Sequence, residues 1–376
     1  MKRRTFVGLM AGAAVCSTGK FTTEALAQSK PLDVARMLEV TRVPGVAVSG
    51  TKGDGPYQLF AGVERVGGAR VTASTFFPAA SLTKPVFAWA VRNLVKQGKL
   101  DWDRPLQDYA DLGLEGTARK ITALHVVTHS TGLPNWRFQP NVPLASTFEP
   151  GTKWQYSGEG FVLLQRVVEK ITGRPIAEYM RTAVLEPLLM TQSTFAWSPE
   201  VQKVAASGHD RQGALLERSL AFYEQRNYET LQKSNLTPAT ATYDQIAAAY
   251  QQNKQPFLPV AMSPNMAGSL QTTIGDYGVF LAHVLKAVTQ SADDFKARVE
   301  VNRDIAWAPG WGVDRSFKTP SLFHWGDGPG FKNFCWIQPA KKSAMVFFTN
   351  GDSGAALYAW LFRQVMNEDP SAFYWI

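Results

Sequence analysis

Hydrophobic residues along this chain follow two spacings, and each spacing predicts a different kind of element. Short apolar runs bounded by glycine or proline predict β-strands. We expect such strands at residues 44–50, 57–63, 311–314, 321–325, 334–338 and 344–349. Apolar residues that recur every three or four positions predict helices instead. We expect helices after residue 81 and at residues 121–129, 161–172, 270–285 and 355–366.

The predicted strands lie near both ends of the chain, and predicted helices dominate its middle. This order indicates one sheet that is built from both ends of the chain and carries a helical insertion. We place the sheet part at about residues 28–100 and 262–376 and the helical part at about 101–261, all within one domain over 28–376. Residues 196–265 have the weakest periodicity, and we interpret them as helices and long loops.

The first 27 residues have the pattern of a cleaved export signal. A charged start with Arg3 and Arg4 precedes a short apolar region, and Ala25-Leu26-Ala27 is a small-x-small cleavage pattern. The arginine pair favours the twin-arginine route to the periplasm or the exterior, and an ordinary Sec signal is the alternative. No apolar run of about eighteen residues follows, so we expect no membrane span after cleavage.

Composition and charge narrow the class of protein further. The chain has 376 residues, of which 45% are hydrophobic and 19% charged, as in a globular protein with a sizeable core. The predicted cleavage removes four basic residues and one acidic residue, so the formal charge falls from +8 by 3 to +5. No block of basic residues with interleaved aromatic residues occurs, which excludes an obvious nucleic-acid surface. Cys335 alone would remain after cleavage, so no internal disulfide is expected.

The candidate chemistry lies at the start of the helix predicted after residue 81. Ser81 and Lys84 are three positions apart, so their side chains are neighbours on that helix. A serine hydroxyl is a weak nucleophile until a base takes its proton, and a lysine can be that base when burial lowers its pKa. The helix N-terminus adds backbone N–H donors that suit a developing oxyanion. Ser-x-x-Lys alone is a weak pattern, so other landmarks must support it.

Those landmarks occur in order along the chain. Ser81-Leu82-Thr83-Lys84, Tyr156-Ser157-Gly158 and His324-Trp325-Gly326 resemble the three motifs of the serine β-lactamase and penicillin-binding D,D-peptidase superfamily. The resemblance is to the class C-like branch, which includes related esterases. It implies an antiparallel sheet flanked by helices plus an all-helical insertion, an α/β (α+β) fold. The chain also resembles the family at three framework landmarks, which lie at residues 128–134, 186–188 and 267–270.

The resemblance also implies a role for each candidate residue. Ser81 would attack a carbonyl and become acylated, while Lys84 would share or take its proton. Tyr156 would relay a proton to the leaving group and help to activate water. His324 would donate a hydrogen bond or polarise Tyr156. The backbone N–H groups of Ser81 and Asp327 would form the oxyanion hole.

Gly326 is assigned to the substrate-binding strand, in a glycine-rich turn at 326–330 that lets substrate approach. The resemblance implies no cofactor and no metal. His125 and His129 have a zinc-like spacing, but the glutamate of His-Glu-x-x-His is absent, which favours framework packing. Gly351-Asp352-Ser353-Gly354 matches a trypsin-like nucleophile segment but lacks its histidine and aspartate framework, so it is predicted to be a turn.

Two departures from the family motifs bear on the substrate. Gly158 replaces the asparagine of Tyr-x-Asn, and His324 replaces the lysine of Lys-Thr-Gly, so a fixed positive charge is lost. Glu159 and Asp327 are acidic neighbours; they would further disfavour an anion if they face the substrate, and the alternative for each is that it faces solvent. These changes favour an esterase or an atypical peptidase over a β-lactamase, acting on a small ester, an amide or a peptidoglycan-like substrate. The alternative from another class is a non-catalytic protein that binds cell-wall fragments or a partner in the same cleft.

Overall fold

A computed structural model describes residues 32–53, 55–139 and 143–376, and the predicted export signal lies outside these ranges. Within them the chain forms eleven strands in two sheets. The strands are β1 (Gly45–Lys52), β2 (Gly55–Gly62), β3 (Phe76–Pro78), β4 (Ser193–Thr194), β5 (Gln271–Thr273), β6 (Val299–Glu300), β7 (Ile305–Ala308), β8 (Trp311–Asp314), β9 (Ser321–Gly328), β10 (Phe331–Gln338) and β11 (Ser343–Thr349).

The large sheet has eight strands in the order β2-β1-β11-β10-β9-β8-β7-β6, and its neighbouring strands pair antiparallel. Its strands come from residues 45–62 and 299–349, so both ends of the chain build it. The predicted α/β (α+β) fold class is therefore confirmed. The six predicted strands are present, but β6, β7 and the small sheet β3-β5-β4 were missed because segments of two to four residues show no measurable alternation.

Helices cover both the ends and the middle of the described chain. They are α1 (Val34–Thr41), α2 (Thr83–Lys96), α3 (Ala123–Val127), α4 (Gly158–Thr172), α5 (Ile176–Met180), α6 (Pro199–Val204), α7 (Leu220–Gln232), α8 (Tyr243–Gln252), α9 (Ile274–Gln290), α10 (Gly354–Met366) and α11 (Ala372–Trp375). The predicted helices are all present, with α4 beginning three residues before the predicted start. Residues Val34–Ile376 form one compact unit. Among the described residues, no helix is both long enough and apolar enough to cross a membrane.

Local signals explain where these helices begin and end. The Thr122 hydroxyl caps α3 by accepting from the His125 N–H at 3.3 Å. Gly173 ends α4 with a φ of +66°, a conformation that glycine adopts without strain. At the start of α9 the Thr273 hydroxyl accepts from the Asp276 N–H, while the Asp276 carboxylate accepts from the Gln192 N–H and the Ser193 hydroxyl. That carboxylate therefore links α9 to the chain beside β4.

One buried amide connects the large sheet to the segment that carries Ser81. Asn333 on β10 is fully buried, and its Nδ2 donates to the Pro78 carbonyl at 3.0 Å. Its Oδ1 accepts from the Thr349 N–H on β11 at 3.2 Å. The side chain thus satisfies two backbone groups that are far apart in sequence and lie beneath the candidate site.

We expect Asn333→Ala to lower the free energy of unfolding by at least about 2 kcal/mol, because both backbone groups lose their partner in a buried place. Urea titration of the parent and the variant measures the change. Asn93→Ala is the matched control, since Asn93 is partly exposed on α2 and makes no side-chain hydrogen bond among the described residues. Equal losses in both variants would show that the Asn333 amide does not stabilise the sheet.

Candidate active site

Ser81 lies in a 3-10 turn, Ala80–Leu82, that continues directly into α2. Ala80 has a φ of +48°, a strained conformation for a residue with a side chain. Surrounding hydrogen bonds hold the turn: the Ala79 N–H donates to the Leu270 carbonyl at 2.8 Å, and the Tyr277 hydroxyl donates to the Leu82 carbonyl at 2.9 Å. The turn is thus fixed from β5 and α9, and Ser81 remains partly accessible.

Lys84 is buried beside Ser81, as the spacing predicted. Its Nζ lies 3.0 Å from the Ser81 Oγ and 2.8 Å from the Ala267 carbonyl oxygen, and the residue is only 1% exposed. Among the described residues, no carboxylate forms an ion pair with it. Burial therefore lowers the pKa of Lys84 well below its usual value. A neutral amine in contact with a serine hydroxyl can accept its proton.

Tyr156 lies over the same amine, which is 4.8 Å from the centre of its ring. The backbone on either side of Tyr156 is fixed by one residue: Gln155 N–H donates to the His129 carbonyl at 2.7 Å, and Ser157 N–H donates to His129 Nδ1 at 3.1 Å. The Tyr156 hydroxyl is buried without a hydrogen bond. Burial raises the pKa of Tyr156 by more than the nearby Ser81 hydroxyl lowers it, so the phenol keeps its proton.

His129 belongs to the site, although sequence reasoning assigned it to framework packing. Its ring stacks on Tyr156 with 4.1 Å between centroids and 21° between planes. Because its Nδ1 accepts a hydrogen bond, its proton lies on Nε2, which has no partner. Burial lowers the pKa of His129 well below its usual value, and repulsion from Lys84 or His324, when either is protonated, lowers it further. A φ of +53° turns the chain there, and no sequence pattern indicated this conformation.

His324 on β9 is fully buried on the other side of Tyr156, with 6.4 Å between the ring centres. Its Nδ1 lies 2.8 Å from the Trp325 carbonyl oxygen, which only accepts, so Nδ1 carries the proton. Burial and the charge of Lys84 lower the pKa of His324 to about 3. Nε2 is thus a bare acceptor without a partner. Neutral His324 can polarise Tyr156 by accepting, but the expected donation from its Nε2 does not fit this tautomer.

Gly326 and Asp327 lie on the same strand, next to the turn that carries Ser81. A Cβ atom at Gly326 would lie 2.4 Å from the Ala79 carbonyl oxygen, so only glycine permits this approach of β9. Asp327 points its carboxylate to solvent, where Lys332 lies 2.6 Å away. The close approach of β9 to the turn that carries Ser81 is compatible with an oxyanion hole that uses the Asp327 N–H, a role that stays a prediction.

The departure at Gly158 has a physical reason in the structure. A Cβ there would come within 2.4 Å of the Trp136 ring, so the indole occupies the space of the missing asparagine side chain. Glu159 does not face the substrate as expected. It is 1% exposed, pairs with Arg137 Nη2 at 3.1 Å and also accepts from the Arg137 N–H. We therefore correct its interpretation: Glu159 fixes the 135–138 loop through Arg137 and does not repel an anionic substrate in the cavity.

A cavity of about 490 Å³ opens above Ser81. Most of its lining is apolar, and its charged members are Glu224 and Asp327. Among the described residues that line it, there is no lysine, arginine or histidine. Helix α7 and the 258–269 segment form the far wall, which agrees with the interpretation of residues 196–265 as helices and loops over the site. The lining residues are Ala80, Ser81, Trp136, Phe138, Leu220, Tyr223, Glu224, Leu258, Val260, Ala261, Met262, Asn265, Ala267, Gly268, Ser269, Asp327, Gly328 and Pro329.

The two histidines with zinc-like spacing have different surroundings in the structure. His125 Nδ1 accepts from the Thr122 N–H at 3.2 Å and so completes the cap of α3, whereas His129 stacks on Tyr156. Across the described part of the chain, no group of three histidine, cysteine, aspartate or glutamate residues could hold a metal ion. Cys335 is a buried free thiol within β10.

The buried neutral histidines predict an acid-sensitive fold. His324 has a pKa of about 3 when folded and about 6.5 when unfolded, so the unfolded chain binds more protons as the pH falls through this window. We expect this histidine alone to lower the free energy of unfolding by about 2 kcal/mol between pH 7 and pH 5. Urea titrations at both pH values measure the loss.

His324→Gln removes the titrating group, so the variant should lose less stability than the parent over the same interval. His283→Gln, at a partly exposed position on α9, is the matched control. An unchanged pH dependence in His324→Gln would mean that His324 is not the buried neutral group described above.

Comparisons with known proteins identify the family of the chain. Residues 33–365 match the Beta-lactamase family. The chain is 29% identical to esterase EstB of Burkholderia gladioli over 53% of the chain and 59% of the esterase. It is also 29% identical to penicillin-binding protein 4* of Bacillus subtilis over 32% of the chain and 30% of that protein. The match thus spans less than two thirds of either relative.

The octameric penicillin-binding protein homologue from Pyrococcus abyssi has a similar fold. It superposes with a TM-score of 0.70 at 20% identity, over 90% of this chain and 77% of that one. The resemblance inferred from the three motifs is confirmed, because the family match covers most of the chain. The protein belongs to the Beta-lactamase family.

Proposed function

We propose that this protein is a serine hydrolase that cleaves small esters through an acyl-enzyme on Ser81. One observation carries the proposal: the buried Lys84 amine lies 3.0 Å from the Ser81 hydroxyl, and no carboxylate of the described residues pairs with it. A lysine that served only structure would gain from a carboxylate partner, whereas a general base must lose its proton near neutral pH.

The arrangement supports proton transfers among Ser81, Lys84 and Tyr156 during the reaction. Ser81 Oγ attacks the ester carbonyl while its proton passes to Lys84, and the negative charge that develops on the carbonyl oxygen is held by backbone N–H groups, for which Ser81 and Asp327 are the candidates. Tyr156 keeps its proton and can donate it to the departing alkoxide, regaining one from Lys84. A water molecule then hydrolyses the acyl-enzyme by the reverse use of the same groups.

The cavity favours esters over carboxylate-bearing substrates. Its wall is mostly apolar, its charged side chains are acidic, and no basic side chain lines it among the described residues. A D-Ala-D-Ala peptide or a β-lactam brings a carboxylate that would enter without a partner, which is costly. Similarity to esterase EstB supports this choice, and similarity to penicillin-binding protein 4* supports a D,D-peptidase as the second candidate. A β-lactamase comes third.

Export remains part of the proposal. It rests on the pattern of residues 1–27, with paired arginines and the cleavage pattern at Ala25-Leu26-Ala27. The site would then act on small molecules outside the cytoplasm, in the periplasm or beyond. Mass spectrometry of the protein recovered from a periplasmic fraction tests this localisation. A mass that corresponds to a chain beginning at residue 28 would support it.

We expect Ser81→Ala to lower kcat/KM for p-nitrophenyl butyrate at least about 10³-fold, because no other group can form the acyl-enzyme. Steady-state assays measure the loss, and Ser74→Ala, at an exposed serine, is the control. A D-Ala-D-Ala peptide and benzylpenicillin assayed beside the ester rank the three candidate activities. Retained ester turnover in Ser81→Ala would overturn the proposal, and a parent that no fluorophosphonate labels would favour the non-catalytic binding protein.

We expect Lys84→Arg to lower kcat for the same ester at least about 10²-fold, since a guanidinium keeps the positive charge but cannot accept a proton. The parent rate should rise with pH through the lowered pKa of Lys84 and then level off. Lys99→Arg, at an exposed position, is the control for the substitution itself. An active Lys84→Arg enzyme with an unchanged pH profile would exclude Lys84 as the base.

A further inference from the structure

A carboxyl group lies inside the cavity that contains the nucleophile. Glu224 on α7 lines this cavity and is only 9% exposed. Gln271 Nε2 donates to its Oε2 at 2.8 Å, and no other hydrogen bond to the carboxyl occurs among the described residues. One oxygen of a buried acid therefore remains available to a ligand. Neither the mechanism above nor the similarity to known proteins gives this residue a role.

The described residues that line the cavity around Glu224 include no cation. Leu220 and Tyr223 flank it on α7, and Leu258 and Val260 contribute apolar surface to the same cavity. An uncompensated carboxylate in such a place is unfavourable. Burial raises the pKa of Glu224 to about 8, more than the hydrogen bond from Gln271 lowers it. The empty cavity thus holds this acid mainly in its neutral form near pH 7.

The other acid of the cavity is different. Asp327 is exposed, and the Lys332 amine lies 2.6 Å from its carboxylate. The charge of Asp327 is therefore compensated before any ligand arrives, whereas an ionised Glu224 would have no cation beside it among the described lining residues. A ligand group that entered as a cation would provide the missing partner, and an ion pair shielded from water is stronger than one at the surface. A carboxylate there would instead meet two acidic side chains and no basic one.

We propose that Glu224 binds a protonated amino group of the substrate, so that the enzyme prefers esters which carry an ammonium group. This inference rests on the proposed function, because the ester must reach Ser81 in the same cavity. A hydroxyl or a methyl group could occupy the same space, but neither offers a charge to the carboxyl. A volume of about 490 Å³ accommodates both the reacting ester and a short amino-bearing chain.

A purely structural role for Glu224 makes a different prediction. Its hydrogen bond with Gln271 joins α7 to β5. If the role of Glu224 were only structural, loss of that bond would lower the stability of the fold and reduce the turnover of every substrate by the same factor. Substrate selectivity separates the two roles, because only a carboxyl that touches the substrate can change the ratio between a charged ester and its neutral isostere.

The test compares p-nitrophenyl esters of 6-aminohexanoate, heptanoate, 6-hydroxyhexanoate and the pimelate monoester. A second series carries the amine, methyl or hydroxyl group on the alcohol side of a phenylacetate ester. We expect the parent to favour the ammonium ester over its methyl isostere by about tenfold or more in kcat/KM in at least one series, the worth of a charge-assisted hydrogen bond. The pimelate monoester should be the poorest substrate.

Glu224→Gln keeps the shape of the side chain but cannot ionise beside an ammonium group, so it should abolish this ratio. Glu229→Gln is the matched control, since Glu229 is an exposed glutamate on the same helix. A parent that hydrolyses the neutral esters without an ammonium preference, or a Glu224→Gln variant that keeps the preference, overturns this inference and leaves the proposed function intact. A parent that hydrolyses none of the esters overturns both.

Discussion

The site depends on one constraint, the burial of a lysine amine among neutral partners. Lys84 contacts the Ser81 hydroxyl and the Ala267 carbonyl, and the aromatic faces of Tyr156 and Phe161 lie 4.8 and 5.4 Å from its nitrogen. A charged ammonium gains little from such surroundings compared with water. The fold therefore favours the neutral amine, and with it the form that can activate a serine.

Burial also sets the protonation of the two neighbouring histidines. Two histidines flank Tyr156, and the proximity of Lys84 adds to burial in keeping both of them neutral. Their free ring nitrogens then differ in kind: His129 presents a donor and His324 presents an acceptor. Neither nitrogen forms a hydrogen bond with the Tyr156 hydroxyl, which is itself buried without a partner among the described residues.

Much of this arrangement could be predicted from the sequence, because it depends on local spacing. The Ser81–Lys84 contact follows from a helical separation of three, and five strands of the large sheet (β1, β2, β9, β10 and β11) follow from apolar runs of five or more residues. His129 could not be recognised as a site residue, since its stacking on Tyr156 depends on its own left-handed backbone conformation just after α3. Glu224 could not be recognised either: α7 is largely polar, so no apolar stripe indicated which of its faces would be buried over the cavity.

The ring contacts around Tyr156 give the site an optical property. Trp325 lies 5.3 Å from the Tyr156 ring, and Trp307 lies 5.3 Å from His129 and 5.7 Å from His324. Indole emission responds to nearby charge and to solvent, and these two indoles border the residues whose protons would move. The intrinsic fluorescence of the protein therefore contains a reporter of its own chemistry. Acylation of Ser81 could be followed in real time without any label.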